Sequence, residues 1–124
     1  MDLRLGGQSV VRVAFDAGVT LLTDSGYEVR IEAAATLSSE DGTWEVTPGA
    51  PTPAMTRMIE LFGAEILSAR ASVAGTLSIH LAGGRSLIVE PDDHFEAWTM
   101  AGPGGALVVC MPAGELALWR TSDG

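Results

Sequence analysis

The chain has 124 residues, sixteen acidic against seven basic side chains and a formal net charge of −9, and every basic residue is arginine. That balance argues against nucleic acid as a partner, because phosphate binding needs a basic footprint, and the absence of lysine excludes Schiff-base chemistry and a P-loop lysine. The length fits one domain with a core of its own. No apolar window is long enough to cross a bilayer, so no membrane is expected, and the polar residues Asp2, Arg4, Gln8, Ser9 and Arg12 interrupt any signal-like run. The single cysteine, Cys110, excludes an internal disulfide and predicts a reduced, buried thiol in a cytoplasmic protein.

In chain order, Leu3–Leu5 predicts a short strand that Gly6-Gly7 breaks. Val10–Phe15 alternates Val11, Val13 and Phe15 against Arg12 and Ala14, the pattern of a half-buried strand. Ala17-Gly18 turns the chain and Val19–Thr23 returns. After Asp24-Ser25-Gly26, the residues Tyr27, Val29, Ile31 and Ala33 line one face of a longer strand. Glu40-Asp41-Gly42 turns the chain again before a short strand at Thr43–Thr47 that ends at Pro48.

Pro51–Phe62 changes period. Thr52 is a suitable N-cap with Pro53 at the first helical position, and Met55, Met58, Ile59 and Phe62 recur at helical spacing, with Gly63 as the stop. The spacing predicts a helix over 52–62 whose apolar stripe, Phe62 included, is core. Glu65–Val73 reads as a strand. Leu77, Ile79 and Leu81, the turn Ala82-Gly83-Gly84, and then Leu87 and Val89 read as a hairpin. Past Pro91-Asp92-Asp93 a strand carries Phe95, Ala97 and Thr99 opposite Glu96, Trp98 and Met100. Gly102–Gly105 makes a wide turn, Leu107–Met111 and Glu115–Trp119 are the last strands, and Arg120–Gly124 is a polar tail.

Residues 11–23 align without a gap on 77–89, Glu32-Ala33 falls on Glu96-Ala97, and residues 43–48 fall on 107–112. The pattern predicts an internal repeat with copies of about 10–48 and 76–112 within a single domain 1–124, linked by the helix 52–62. The expected fold is α+β and mainly β. Two repeated antiparallel meanders form a twisted sheet pair or partly open barrel, with one α-helix between them.

Four residues are candidates for a binding site: His80, His94, Glu96 and Trp98. His80 has the polar parity of its strand, His94 follows two aspartates at a turn, and Glu96 shares a strand face with Trp98. Imidazole and carboxylate together suit zinc or iron, yet no H-x-H or H-E-x-x-H spacing is present. The plainer reading is a satisfied sheet histidine and a solvated turn histidine, with no metal and no cofactor. No G-x-S-x-G elbow occurs, Cys110 lacks a local signature, and scattered carboxylates are the norm in so acidic a chain, so no catalytic residue is assigned. An exposed tryptophan would mark a recognition surface, for which Trp98 is the first candidate, but it is expected instead to pack under the helix and sheet.

The Glu96-Ala97-Trp98 run, the glycine turn at Gly102–Gly105 and the ending Pro112-Ala113-Gly114-Glu115-Leu116-Ala117-Leu118-Trp119 resemble a family of small, uncharacterised bacterial proteins. In these an E-A-W strand precedes a P-G-G-E-L-A-x-W type ending, and a G-x-L-x-I/L-x-L-x-G-G hairpin corresponds to Gly75–Gly84. This chain has Ala113 where that pattern has glycine. The resemblance implies no established activity; by analogy with other small acidic proteins it suggests an immunity-type binder. The leading expectation is therefore a non-catalytic module that engages a basic protein partner through its acidic surface. The alternatives are a small metal- or small-molecule-dependent enzyme or binding protein with a site near His80, His94 and Glu96, and a structural homodimer joined through an exposed strand edge.

Overall fold

Alternation of apolar and polar residues turns most of the chain into strands. The computed structural model describes residues 1–50 and 53–119. Its elements are β1 (Val10–Phe15), β2 (Val19–Thr23), β3 (Glu28–Ile31), β4 (Ala35–Ser39), β5 (Gly42–Val46), α1 (Ala54–Ile59), β6 (Ile66–Ala71), β7 (Leu77–Leu81), β8 (Arg85–Val89), β9 (Trp98–Ala101), β10 (Leu107–Cys110) and β11 (Leu116–Trp119). They form two antiparallel sheets that do not close into a barrel. One has the order β1-β2-β3-β9-β10-β11 and the other β5-β4-β8-β7-β6.

Both halves of the chain build both sheets. The meander β1-β2-β3 is continued by β9-β10-β11 from the second half, and β6-β7-β8 is continued by β4 and β5 from the first. The crossings lie between β3 and β4 and between β8 and β9. In this order the meanders begin with β1 and β6, so corresponding edges are one strand away from the sequence alignment of 11–23 on 77–89. Residues 43–48 and 107–112 do hold β5 and β10, each the second strand that its half contributes to the other sheet.

The inward rows supply one core. Val19, Leu21, Val29, Ile31, Trp98, Met100, Val108 and Cys110 come from the six-stranded sheet, and Leu37, Val46, Leu77, Ile79, Leu81, Leu87 and Val89 from the five-stranded one. Burial at this scale contributes about 25 cal/mol per Å² of apolar surface, which makes the facing rows the main source of stability.

Four details depart from the sequence expectations. First, Leu3–Leu5 is not a strand of its own. Leu3 donates its N–H to Ala69 and Asp2 bridges Arg70, so the N-terminal segment covers the outer edge of β6 while Leu3 and Leu5 sink into the core. Second, β1 carries a bulge between Val10 and Arg12, which turns Val11 out to solvent while Val13 and Phe15 still meet the core. Third, the strand expected over Tyr27–Ala33 stops at Ile31. Glu32 and Ala33 both donate to the Ala97 carbonyl there, and the chain crosses to form β4, for which Leu37 is the one large inward residue.

The fourth concerns the helix. It is α1 followed by a tight turn in which Leu61, Phe62 and Ala64 donate to the carbonyls three residues back. Thr52, the expected cap, lies outside the described residues, and Pro53 stands at the cap position without a side-chain bond. The buried stripe is Ala54, Met58 and Leu61; Ile59 and Phe62 are 55% and 65% exposed. α1 packs against β5 and buries Ala54 and Met58, with Arg57 lying over Trp44. Phe62 is therefore not core.

Leu87→Ala is expected to lower the unfolding free energy by about 2–5 kcal/mol, and Phe62→Ala by under about 1 kcal/mol. Urea titrations of the two variants check both values, and equal losses would contradict the stripe described here.

Candidate functional site

β9 and β10 pair Thr99 with Val109, which sets Trp98 and Cys110 side by side on the inner face of the six-stranded sheet. Both side chains are fully buried. A buried indole N–H needs an acceptor, and none is available within the two strands. It is supplied by the turn between β6 and β7. Trp98 Nε1 donates to the Gly75 carbonyl at 2.9 Å, and Cys110 Sγ donates to the same oxygen at 3.4 Å.

That turn is itself wedged. Gly75 (φ 93°) and Gly114 (φ 97°) lie back to back, and a Cβ on either would collide with backbone: with the Gly114 carbonyl in one case, with the Ala74 carbonyl in the other. Left-handed φ and close backbone approach both call for glycine at these positions. Ala113, next to Gly114, holds φ at 67°, a conformation that costs an L-residue about 1–2 kcal/mol. The glycine that the family pattern carries at this position would relieve that strain. The Ala113 N–H donates to the Asp92 carbonyl at 2.7 Å, and Gly114 faces the Pro91 ring, so a third segment is drawn in.

Three loops thus meet at one end of the molecule: 72–76, 90–96 and 111–115. Together they carry Glu90, Asp92, Asp93, Glu96 and Glu115 and contain no arginine. Thr76 Oγ1 holds Glu90 at 2.8 Å, and Asp92 Oδ1 accepts the backbone N–H of His94 at 2.8 Å. The other carboxylates point to solvent. The same loops display two apolar side chains: Phe95, 46% exposed, and Val73, fully exposed. The sequence reading passed over Val73 because a lone valine beside a turn has no periodicity to mark it.

Of the four candidates, His94 and Glu96 stand on this end, both exposed, and Trp98 lies beneath it as the buried anchor. His80 is elsewhere. It stands between Ser68 and Ser86 on the outer face of the five-stranded sheet, next to the β7–β8 hairpin, whereas His94 follows the far end of β8. His80, His94 and Glu96 do not come together as the metal or enzyme reading required. Among the described residues no group of three His, Cys, Asp or Glu side chains is placed to hold a metal ion.

Three hollows lie apart from all four candidates. A groove of about 710 Å³ runs past Met1, Arg4, Leu67 and Leu118. A cleft of about 130 Å³ is lined by Trp44, Arg57, Glu60 and Arg85, with the Arg57 guanidinium 4.5 Å above the Trp44 ring. A third of about 210 Å³ lies among Phe15, Val46, Pro48 and Met55. On the outer face of the six-stranded sheet Arg30 bonds Asp16 and Glu32, each at 3.0 Å. The Gly18 backbone N–H and then Arg30 hold the Asp16 carboxyl below its usual range, while Asp16 and Glu32 raise the Arg30 guanidinium. Exposed as they are, these charges contribute little stability. Burial pushes the Cys110 thiol up, away from the thiolate a nucleophile would need.

The model of a family of unknown function, DUF6188, matches residues 1–120. No curated protein and no solved structure matches the chain.

Two outcomes are expected at the junction of the three loops. Gly114→Ala should lower the unfolding free energy by about 2–5 kcal/mol, combining backbone strain with a collision that needs the turn to shift, whereas the neighbouring Ala113→Gly should raise it by up to about 1 kcal/mol. Thermal and urea unfolding distinguish the two signs. Cys110 favours its protonated form more in the folded than in the unfolded chain. Its contribution is therefore complete below the ordinary thiol value near 9.0 and is lost as pH rises beyond it. Stability followed into the alkaline range should fall more steeply in the wild type than in Cys110→Ala.

Proposed function

The chain belongs to a family of unknown function, and from that premise we propose that it is a non-catalytic protein-binding module. In this reading the end formed by loops 72–76, 90–96 and 111–115 receives a basic protein partner, as an immunity-type protein would. The observation that carries the reading is the juxtaposition at that end of five carboxylates with the exposed Phe95 and Val73. Acidic groups attract and orient a basic surface, and an exposed aromatic on the same loops supplies an apolar anchor for such a contact.

Rigidity supports the same reading. The loops are fixed by the Gly75–Gly114 approach and by the Trp98 indole, so little conformational entropy remains to be lost on binding. The net charge of −9 adds a long-range attraction that accelerates encounter and weakens with salt. On the same grounds nucleic acid is not the partner, and a reduced Cys110 suits the cytoplasm.

The test is affinity capture from native lysate at low ionic strength with three baits: wild type, Phe95→Ala, and Asp92→Lys combined with Asp93→Lys. Expected is a basic protein retained by the wild type, lost with the double charge reversal and at least tenfold weaker with Phe95→Ala. Retention of the same proteins by all three baits, or of none by the wild type, would count against the proposal.

A further inference from the structure

Open sheets end in strands whose outer backbone groups need cover, and here those strands are β1 and β11 in one sheet and β5 and β6 in the other. Three of them are managed by the chain itself. Along β6 run residues 1–8: Met1 and Ala71 exchange backbone bonds, Leu3 donates to Ala69, and Ile66 donates to Gln8. β1 is bulged, carries Arg12 and is tied at its start to residues 63–65, while β5 carries Glu45 and has α1 packed against it. β11 is different. It reads Leu-Ala-Leu-Trp, without charge, proline or bulge, and among the described residues nothing pairs with its outer side. Its outward groups can be named. Met111 donates to Glu115 at the last turn, and antiparallel bonding alternates from there. Ala117 and Trp119 therefore bond β10, while Leu116 and Leu118 turn their N–H and C=O groups to the open side.

The groove of about 710 Å³ adjoins that edge. It is lined by Met1, Asp2 and Arg4 of the N-terminal segment, by Leu67 of β6 and by Leu118 of β11, with no residue of β10, so it opens on the side of β11 away from β10. Met1, Leu67 and Leu118 stand 45%, 56% and 47% exposed in it. We propose that an extended segment of another protein, uncharged and with apolar residues at alternate positions, adds to β11 as a further strand and lies in this groove. Backbone bonds to Leu116 and Leu118 would hold it, and every second side chain would cover the exposed apolar ones.

Size and charge choose this occupant. A strand of about four residues at ~3.3 Å each, ~4.8 Å wide and ~10 Å thick, fills roughly 630 Å³, close to the volume of the groove. The groove is bounded by the N-terminal segment as well as by β11, which suits a lone strand; the β11 of a second copy brings its own β10 behind it. A basic segment is drawn instead to the acidic end, and an acidic one is repelled by the net charge of −9. A neutral segment meets an uncharged strand and a groove whose two charges, Asp2 and Arg4, are opposite in sign. The site is separate from the loops assigned above to a basic partner and does not depend on that reading.

Ribosome-displayed random octapeptides selected on the immobilised wild type supply the probe. The enriched peptides, synthesised with blocked ends, are then titrated against the wild type, Leu118→Pro and Leu118→Ala, with circular dichroism to establish folding. Proline removes an outward N–H without touching the bonds to β10, whereas alanine keeps that N–H and loses only the side chain. Expected is a neutral consensus with alternating apolar residues that slows hydrogen exchange at the Leu116 and Leu118 amides and binds Leu118→Pro at least tenfold more weakly than Leu118→Ala. If Leu118→Pro does not fold, the enriched peptides are N-methylated at alternate amides, and one of the two methylation patterns should abolish binding to the wild type while the other leaves it. Failure to enrich any peptide, a basic consensus that binds Leu118→Pro as well as the wild type, or a wild type that self-associates through this edge and excludes peptides would each overturn the proposal.

Discussion

One carbonyl oxygen, that of Gly75, holds the arrangement together. It takes the indole N–H of a fully buried tryptophan and the thiol of a fully buried cysteine, both belonging to the sheet opposite its own. Without that oxygen the indole N–H would be left unpaired in the core, at a cost of about 1–3 kcal/mol, and the weakly donating thiol would keep only the longer contact to the Met111 carbonyl at 3.8 Å. The oxygen can reach them only because Gly75 and Gly114 lack side chains. The apolar rows press the sheets together, and this contact fixes the β6–β7 turn against them and, through Gly114, the loops beside it.

The contact also explains why the chain is shared so evenly between its sheets. β3 crosses to β4 and β8 crosses to β9, so neither sheet can be completed from one half of the chain. A turn from one sheet that caps side chains of the other keeps these crossings in register. The surface then divides in three. The acidic end carries Phe95 and Val73, the face with His80 is mostly polar, and the face with Trp119 is uncharged over β9–β11 but carries Arg12, Glu28 and Arg30 over β1–β3. It leaves the histidines as exposed surface groups on separate parts of the molecule.

Much of the fold was legible in the sequence, because a pleated strand with one buried face enforces period-two alternation. β2, β7 and β8 fall where the alternation put them, and the burial of Cys110 and Trp98 followed from their apolar strands. What failed did so for local reasons. Val11 kept the alternation and was displaced by a bulge, which inserts one residue without altering composition. The helix offered two stripes of almost the same spacing that share Met58, and spacing alone does not say which is buried: Ala54 and Leu61 join Met58 in the core while Ile59 and Phe62 are exposed. β4 was hidden because Ser and Thr hydroxyls on its outward side suit a loop equally well.

The candidate site divides along the same line. Sequence alone determined a β-rich chain with one helix, a net charge of −9, a buried thiol, and His94, Glu96 and Trp98 within a few residues of one another, since these follow from residue type and short spacing. Tertiary structure decided that His80 lies apart, that the turn with Val73 and the loop with Phe95 belong to the same end, and that Gly75 and Gly114, thirty-nine positions apart, touch. The reason is that strand pairing and backbone approach bring together residues whose separation along the chain carries no local signal. A glycine needed for one missing Cβ against a distant carbonyl looks, in a sequence, like any glycine in a turn.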